Sequence, residues 1–430
     1  MPEHTLRPEH RVAIDAVRRF RRKGNHCMIR KYAIASAVLA LLATSACSSS
    51  GSSSSNSVSS SGSSSSRATG STWVLGSVES QTGTGAVAVG AVGVLQAWAS
   101  WTDAHGGIDG HNIKVIVMDD GSNAANSLAD AKELVEQDHV IAIVSPSTVF
   151  DSTWASYVQS MHVPVIGGLN VTPTWLTNPD FFAGGATAET LIYGFMKAAR
   201  NEGGTKLAIF YGTESPADAE ELPLFKEIAP SAGLQVTTTI GITASQPDYT
   251  ADCIAAKNAG SNVLTVLESG QTPLRVMQDC EAQGWKPTLV ADAGTVYNSY
   301  ASESALQGMQ VSSGVFPYFA DATPTEQAFH KALQQYDPAI LNSPAYGFYT
   351  AATWVGGELF EAAALSGHLG DDPTPSDVVQ AMYALGHTDV DGLTPPLTFK
   401  PGTPTPTNCT FLFEITDSKF VQHSQQACRP

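Results

Sequence analysis

From Trp73 onward, short apolar runs alternate with helix-length segments, and this alternation constrains the 430-residue chain more than any other feature. The spacing predicts strands at Trp73–Val78, Ile113–Met118, Val140–Val144, Val163–Ile166, Lys206–Tyr211, Gln235–Ile240, Val263–Leu267, Thr288–Ala291 and Met309–Ser313. Between them lie amphipathic stretches such as Ser127–Asp138, where Leu128, Ala131, Leu134 and Val135 recur at helical spacing. Strands separated by helices pair in parallel, and parallel sheets are covered on both faces, so the expected class is α/β. Three helical stretches follow without strands between them: Thr325–Tyr336, Ala345–Leu365 and Pro375–Leu385. The chain then runs through a Pro/Thr-rich segment to a hairpin, Thr410–Ile415 against Lys419–His423. On a prior of roughly 150 residues per domain, two α/β units of similar size are expected.

Charge is unevenly placed. Residues 1–46 hold nine basic and three acidic groups, a net of +6; the remainder holds 37 acidic and 14 basic groups, a net of −23. The acidic body, in a chain of net charge −17, argues against a nucleic-acid partner, because phosphate binding needs a basic surface. The basic leader suggests export. Arg30 and Lys31 precede an apolar run from Tyr32 to Ala43, which spans only about 18 Å as a helix, short of a ~30 Å hydrocarbon core. Residues 28–46 therefore read as a signal peptide, with Met28 the expected true start and residues 1–27 an upstream extension. The small residues Thr44, Ser45 and Ala46 before Cys47 resemble the lipobox of bacterial lipoproteins, although Thr44 stands where Leu is commonest. That resemblance implies lipidation of Cys47 and anchoring to the outer face of the cytoplasmic membrane. Residues 48–66 contain fifteen Ser, two Gly, one Asn and one Val, so residues 47–71 read as a lipidated, flexible tether.

Removing Cys27 with the leader and lipidating Cys47 leaves Cys253, Cys280, Cys409 and Cys428. Four cysteines allow three pairings, and sequence proximity favours Cys253–Cys280 with Cys409–Cys428. Paired thiols agree with an oxidising compartment. No CxxC or HExxH spacing points to a metal, and no cofactor is expected.

In open α/β sheets ligands bind beyond the carboxyl ends of the strands. The residues placed there are Glu79–Gly85, Asp119–Asn123, Ser145–Phe150, Gly167–Thr172, Gly212–Ser215, Glu268–Gln271 and Asp292–Tyr297, nearly all Gly, hydroxyl, amide or acidic residues. Such residues cap helices and bare backbone N–H groups, which suits polar ligands and ordinary turns alike. A dinucleotide enzyme is the main rival, since Gly83-x-Gly85-x-x-Ala88 follows a strand. Against it, Glu79–Thr82 separate strand from glycines, and the acid at Asp119 lies 36 residues beyond Gly83 (119 − 83) where that fold wants about 20. No GxSxG elbow or Walker loop supports a hydrolase. The reading is not an enzyme.

Here the order of features matches a family. Gly83-Thr84-Gly85, His105-Gly106-Gly107-Ile108-Asp109-Gly110, Asp119-Asp120, Ser145-Pro146-Ser147-Thr148 and Val163-Pro164-Val165-Ile166 follow one another across successive strands and helices. The ordered set resembles the type I periplasmic binding proteins, closest to the branched-chain amino-acid (leucine-binding-like) branch that serves ABC importers. The resemblance covers roughly 72–425. It implies two Rossmann-like lobes joined by a three-segment hinge, 72–186 with 315–393 and 187–314 with 394–430. They would close on a small polar, amino acid-like metabolite without catalysis. Expected partners are that ligand, ABC permease subunits and, through the anchor, the lipid bilayer; a monomer is expected. A sensor serving a membrane receptor is the alternative role.

Carried over position by position, the resemblance places the ligand's carboxylate at Ser147, Thr148, Asn170, Val171 and Thr172, although Ser147 reads equally as a plain N-cap; Gln81 and Thr82, in the loop after the first strand, are further candidate ligand-binding residues. Asp119 and Asp120 read as structural caps. The second lobe departs from the amino-acid pattern. The family's aromatics fall near Pro216 or Ala217 and near Gly270 or Gln271, and its ammonium-pairing acid falls near Ala293. Without those partners an ammonium group would be desolvated uncompensated, which argues against leucine, isoleucine or valine. Glu214, Glu268, Gln271, Asp292 and Tyr297 remain candidate hydrogen-bonding residues, and Trp175 reads as a packed surface residue or, alternatively, a flank of the cleft.

Overall fold

A computed structural model describes residues 68–430 apart from Thr84, Gly85, Val87, Ala88, Leu169, Ser215 and Ser269. The start at Met28, the signal peptide, the anchor at Cys47 and most of the tether lie outside the described residues.

The first sheet is built from β1 (Thr72–Glu79), β2 (Asn112–Asp119), β3 (Ala142–Val144), β4 (Val165–Ile166) and β5 (Phe181–Phe182). The helices α1 (Ala91–Ala104), α2 (Ala124–Glu136), α3 (Ala155–Ser160) and α4 (Thr174–Thr177) fall between these strands. All pairs are parallel, in the order β2-β1-β3-β4-β5. After α5 (Ala188–Asn201) the pattern repeats: β6 (Lys206–Gly212), α6 (Pro216–Ala232), β7 (Gln235–Ile242), α7 (Thr250–Asn258), β8 (Val263–Leu267), α8 (Thr272–Ala282), β9 (Thr288–Asp292) and β10 (Gln310–Ser313). These strands run β7-β6-β8-β9-β10, the same doubly wound order as the first sheet.

The chain returns to the first lobe with α9 (Pro324–Tyr336), α10 (Phe348–Gly367), α11 (Pro375–Leu385) and the short pair β11 (His387–Thr388) and β12 (Leu397–Thr398). It ends on the second sheet, where β13 (Cys409–Thr416) pairs antiparallel with β10, β14 (Lys419–Gln422) and β15 (Ala427–Cys428). The predicted hairpin is β13–β14, with Phe413 opposite Gln422.

Each sheet is covered on both faces, which explains why its strands read as near-continuous apolar runs. In the first lobe one core gathers Trp73, Trp98, Trp354 and Phe360, and the opposite face gathers Val78, Leu134, Trp154 and Trp175. In the second lobe Phe210, Tyr249 and Phe413 pack on one face, and Phe195, Met196 and Phe225 on the other. Trp175 is 1% exposed and donates Nε1–H to Asp151 Oδ2 at 2.8 Å, so it is a core residue and not a flank of the cleft.

Helix α10 is apolar nearly all round because it is buried, and two glycines set its depth. A Cβ on Gly356 would lie 1.9 Å from Ser145 Oγ, and one on Gly357 would lie 2.4 Å from Trp98 Cδ2. The start of α9 is fixed by a capping box. Thr323 Oγ1 accepts from Glu326 N at 3.2 Å, and Glu326 Oε2 accepts from Thr323 N at 2.8 Å. Thr323→Ala is therefore expected to cost about 1 kcal/mol in a urea titration.

Candidate functional site

The chain crosses between the sheets three times, and the crossings are bonded to one another. Ala186 N donates to Gly314 O at 3.2 Å, and Ala186 bridges Thr407 in parallel. Thr190 Oγ1 donates to Thr407 O at 3.2 Å and Thr410 Oγ1 to Ser313 O at 2.7 Å. Glycine is required at the crossing, since a Cβ on Gly185 would meet Gly314 O at 2.6 Å. The result is a short ribbon with one lobe on each side.

Beside this ribbon a cavity of about 60 Å³ is walled by both lobes. Asn170 and Val171 after β4 and Phe348 and Tyr349 at the start of α10 face Asp292 and Gly294 after β9. It shares Val171, Leu191 and Asp292 with a groove of about 450 Å³ that runs over Phe195 of α5, Phe225 of α6 and Thr265 of β8. The surroundings are apolar at one end and acceptor-rich at the other.

Two groups dominate the polar end. Asn170 is 8% exposed and its Oδ1 has no hydrogen-bond partner among the described residues, an uncommon cost for a buried amide. Asp292 caps the single 3-10 turn Ala293–Thr295, its Oδ1 accepting from Gly294 N at 2.8 Å. Burial pushes the Asp292 carboxyl up, opposed by those backbone N–H groups. Burial also raises the Tyr349 hydroxyl, with the neighbouring Asp292 and Tyr297 adding to the rise. A methyl placed on Gly294 would sit 2.9 Å from Asp292 Oδ1 and 3.3 Å from Tyr349 Oη, so glycine keeps a space open between carboxylate and phenol.

The structure thus brings Asn170, Val171 and Asp292 to one cavity, with Tyr297 beside Tyr349. It gives the other candidates different surroundings. Thr148 is 1% exposed; its Oγ1 donates to Asp120 Oδ2 at 2.6 Å and accepts from Phe150 N at 3.1 Å. Ser147 continues the β1–β3 pairing through its backbone, which sets it beside the buried Glu79. Thr172 Oγ1 donates to Asp151 Oδ1 at 2.7 Å. The loop after β1 is tied to Asp119, which accepts from Gln81 N at 3.0 Å and from Thr82 Oγ1 at 2.7 Å. In the second lobe Glu214 Oε1 accepts from Ala244 N at 2.7 Å, and Gln271 is exposed at the start of α8.

Sequence reasoning missed Phe348 and Tyr349. It sought aromatics after the second lobe's strands, whereas they come from the first lobe at the amino end of α10. The available signal was Gly347, a break just before an aromatic pair, but only the crossings between lobes turn that helix end toward Asp292. Leu191, Phe195 and Phe225 were missed for a similar reason: helical spacing marks them as buried without saying which end of the burial stays open.

A family model described as periplasmic binding protein matches residues 72–419. No curated protein matches the sequence. Among solved structures, the chain is similar to a solute-binding protein of an ABC transporter from R. palustris in complex with benzoate (TM-score 0.63, 17% identity, 83% of this chain and 97% of that one). It is also similar to the branched-chain amino acid transporter substrate-binding protein of Streptococcus pneumoniae in complex with isoleucine (TM-score 0.63, 15% identity, 83% and 100%). A third is an extracellular ligand-binding receptor from Verminephrobacter eiseniae (TM-score 0.67, 15% identity, 81% and 99%). With two doubly wound sheets, three crossings and a family match running through both lobes, the chain belongs to the type I periplasmic binding protein family.

Proposed function

We propose that this protein is the extracytoplasmic solute-binding component of an ABC importer, held to the membrane by a lipidated Cys47 and the serine-rich tether. It captures a small metabolite between its lobes and hands it to the permease subunits unchanged. The observation that carries the reading is the cavity at the crossings, where Asn170 of one lobe and Asp292 of the other face the same space. The ABC-transporter proteins it resembles in fold bind benzoate, isoleucine and, in one from Thermomonospora curvata, fatty acid, which fits a shared role with variable solutes.

The mechanism is a population shift. Residues 72–186 with 315–393 move against 187–314 with 394–430 about the ribbon of crossings. Only contacts made to both lobes at once favour the closed state. A ligand bound to Asn170 alone would shift nothing; one that also reaches Asp292 would.

Mass spectrometry of metabolites retained by the purified protein identifies the solute, and small-angle scattering then measures closure. Saturation with that solute is expected to shrink the envelope; an unchanged envelope rules out hinge closure. Replacing Asn170 and Asp292 together with Ala should weaken binding on the order of 100-fold, since a charge-assisted hydrogen bond and a neutral one are both lost. Both residues sit at strand ends, so the melting temperature without ligand should change little.

A further inference from the structure

The reading above leaves the class of solute open, and the charge pattern of the sheet edges speaks to it. Across the seven loops at the carboxyl ends of the strands there is no Lys, Arg or His, against six acids: Glu79, Asp119, Asp120, Glu214, Glu268 and Asp292. Burial holds Glu79 largely protonated and also pushes the Asp292 carboxyl up. The amino ends of helices at this rim each carry roughly half a positive charge, effective only within the first turn, and no basic side chain of these loops adds to it.

Two acceptors line the cavity from opposite lobes, the Asn170 Oδ1, which has no partner among the described residues, and the Asp292 carboxyl, with the Tyr349 hydroxyl beside them. Of the hydroxyls that could have received an anion, Thr148 donates to Asp120 and Ser147 lies beside the buried Glu79. A carboxylate seated there would find Thr148 already engaged by Asp120 and no basic side chain on these loops. The groove beyond is lined by Leu191, Ile192, Phe195 and Phe225, an apolar wall, and the charged residues along it are all acids.

We propose that the solute is an organic ammonium ion with a compact apolar body and no free carboxylate, its N–H donors shared by Asp292 and Asn170 Oδ1 and its body lying in the groove over Leu191 and Phe195. This rests on the solute-binding reading of the same cleft, and it revises the expectation that an ammonium group would find no acid here, because Asp292, one residue before Ala293, lines the cavity. It sets the chain apart from the benzoate and fatty-acid binders that it resembles in fold. Removing a cation from water demands a nearby carboxylate, and a carboxylate raised by burial gains most from a cation beside it.

The test is thermal denaturation of the purified protein with two matched series, benzylamine, benzamide and benzoate, and butylamine, butyramide and butyrate, each at about 10 mM, where binding raises the melting temperature by mass action. The amine of at least one series should stabilise, the amide less, and neither carboxylate. Stabilisation by a carboxylate equal to that by its amine overturns the charge assignment while leaving solute binding intact; no stabilisation by either amine overturns it as well. Asp292→Asn should weaken the amine about 30-fold or more with the ligand-free melting temperature nearly unchanged. Asn170→Ala, which tests the second acceptor independently, should weaken it about 10-fold. Unaltered affinity in both variants would remove these residues from the site.

Discussion

Glu79→Gln should raise the melting temperature at pH 8 and leave it nearly unchanged at pH 4. Glu79 is 0% exposed at the end of β1. Its Oε1 accepts from Ser77 Oγ at 2.7 Å, and its Oε2 has no hydrogen-bond partner among the described residues. Burial, with small additions from Asp120 and Asp119 and against the pull of Ser77 and Ser147, pushes its pKa up from 4.5 to about 8. A carboxyl with a raised folded value holds its proton more tightly when folded. Its contribution is fully present below about pH 4.5 and is lost as pH rises through about 8. A tenfold gain in proton affinity is worth about 1.4 kcal/mol, so the penalty at alkaline pH is on the order of a few kcal/mol. Glu358 moves the same way, raised to about 8 by burial and by the nearby Glu361. The wild-type protein should therefore melt progressively lower between pH 5 and pH 8.5, with a shallower slope in Glu79→Gln. A variant that melts below wild type at pH 8 would show that the carboxylate is stabilised there by something other than its visible partners.

The second large effect concerns Cys253 and Cys280, paired across 27 residues and both 0% exposed in the second lobe's core. Replacing both with Ala should cost about 3–4 kcal/mol through the freed unfolded chain, with a further cost for lost packing. A urea titration should show the midpoint falling at constant slope, and reduction of the wild-type protein should move its midpoint toward the variant's. A loss below about 1 kcal/mol would mean that the α7–α8 packing holds without the link. The pair Cys409–Cys428 joins β13 to the terminal β15 at the sheet's edge, where Cys428 is exposed, so its loss should fray the terminus more than it lowers global stability.

Strand Val263–Leu267 and helix Pro375–Leu385 were legible to the residue, and most other elements to within a few. The strands missed were β5, β11, β12 and β15, each of two residues, too short for any period to register. Trp175 shows the limit of reading a loop. Its position after β4 left open a flank of the cleft or a packed residue, and Asp151, 24 positions earlier, decides for packing by capturing its indole nitrogen and drawing it into the core. Thr172 follows the same carboxylate.

What the chain's own order of residues determined was periodic and local: α/β alternation, the two repeated units, the hairpin at the end, the nearest-neighbour disulfides and the absence of basic residues at the strand ends. Those properties follow from burial repeating at a fixed step along the backbone, which any one segment displays alone. The cleft itself was decided in three dimensions. Thr148 turns inward because Asp120, on a neighbouring loop, needs a donor in a place without water, and Ser147 is set beside the buried Glu79. Phe348 and Tyr349 reach Asp292 only because three crossings bond side by side and carry α10 across the gap. Contacts between residues far apart along the chain depend on how the strands and lobes are joined, and no local pattern encodes that.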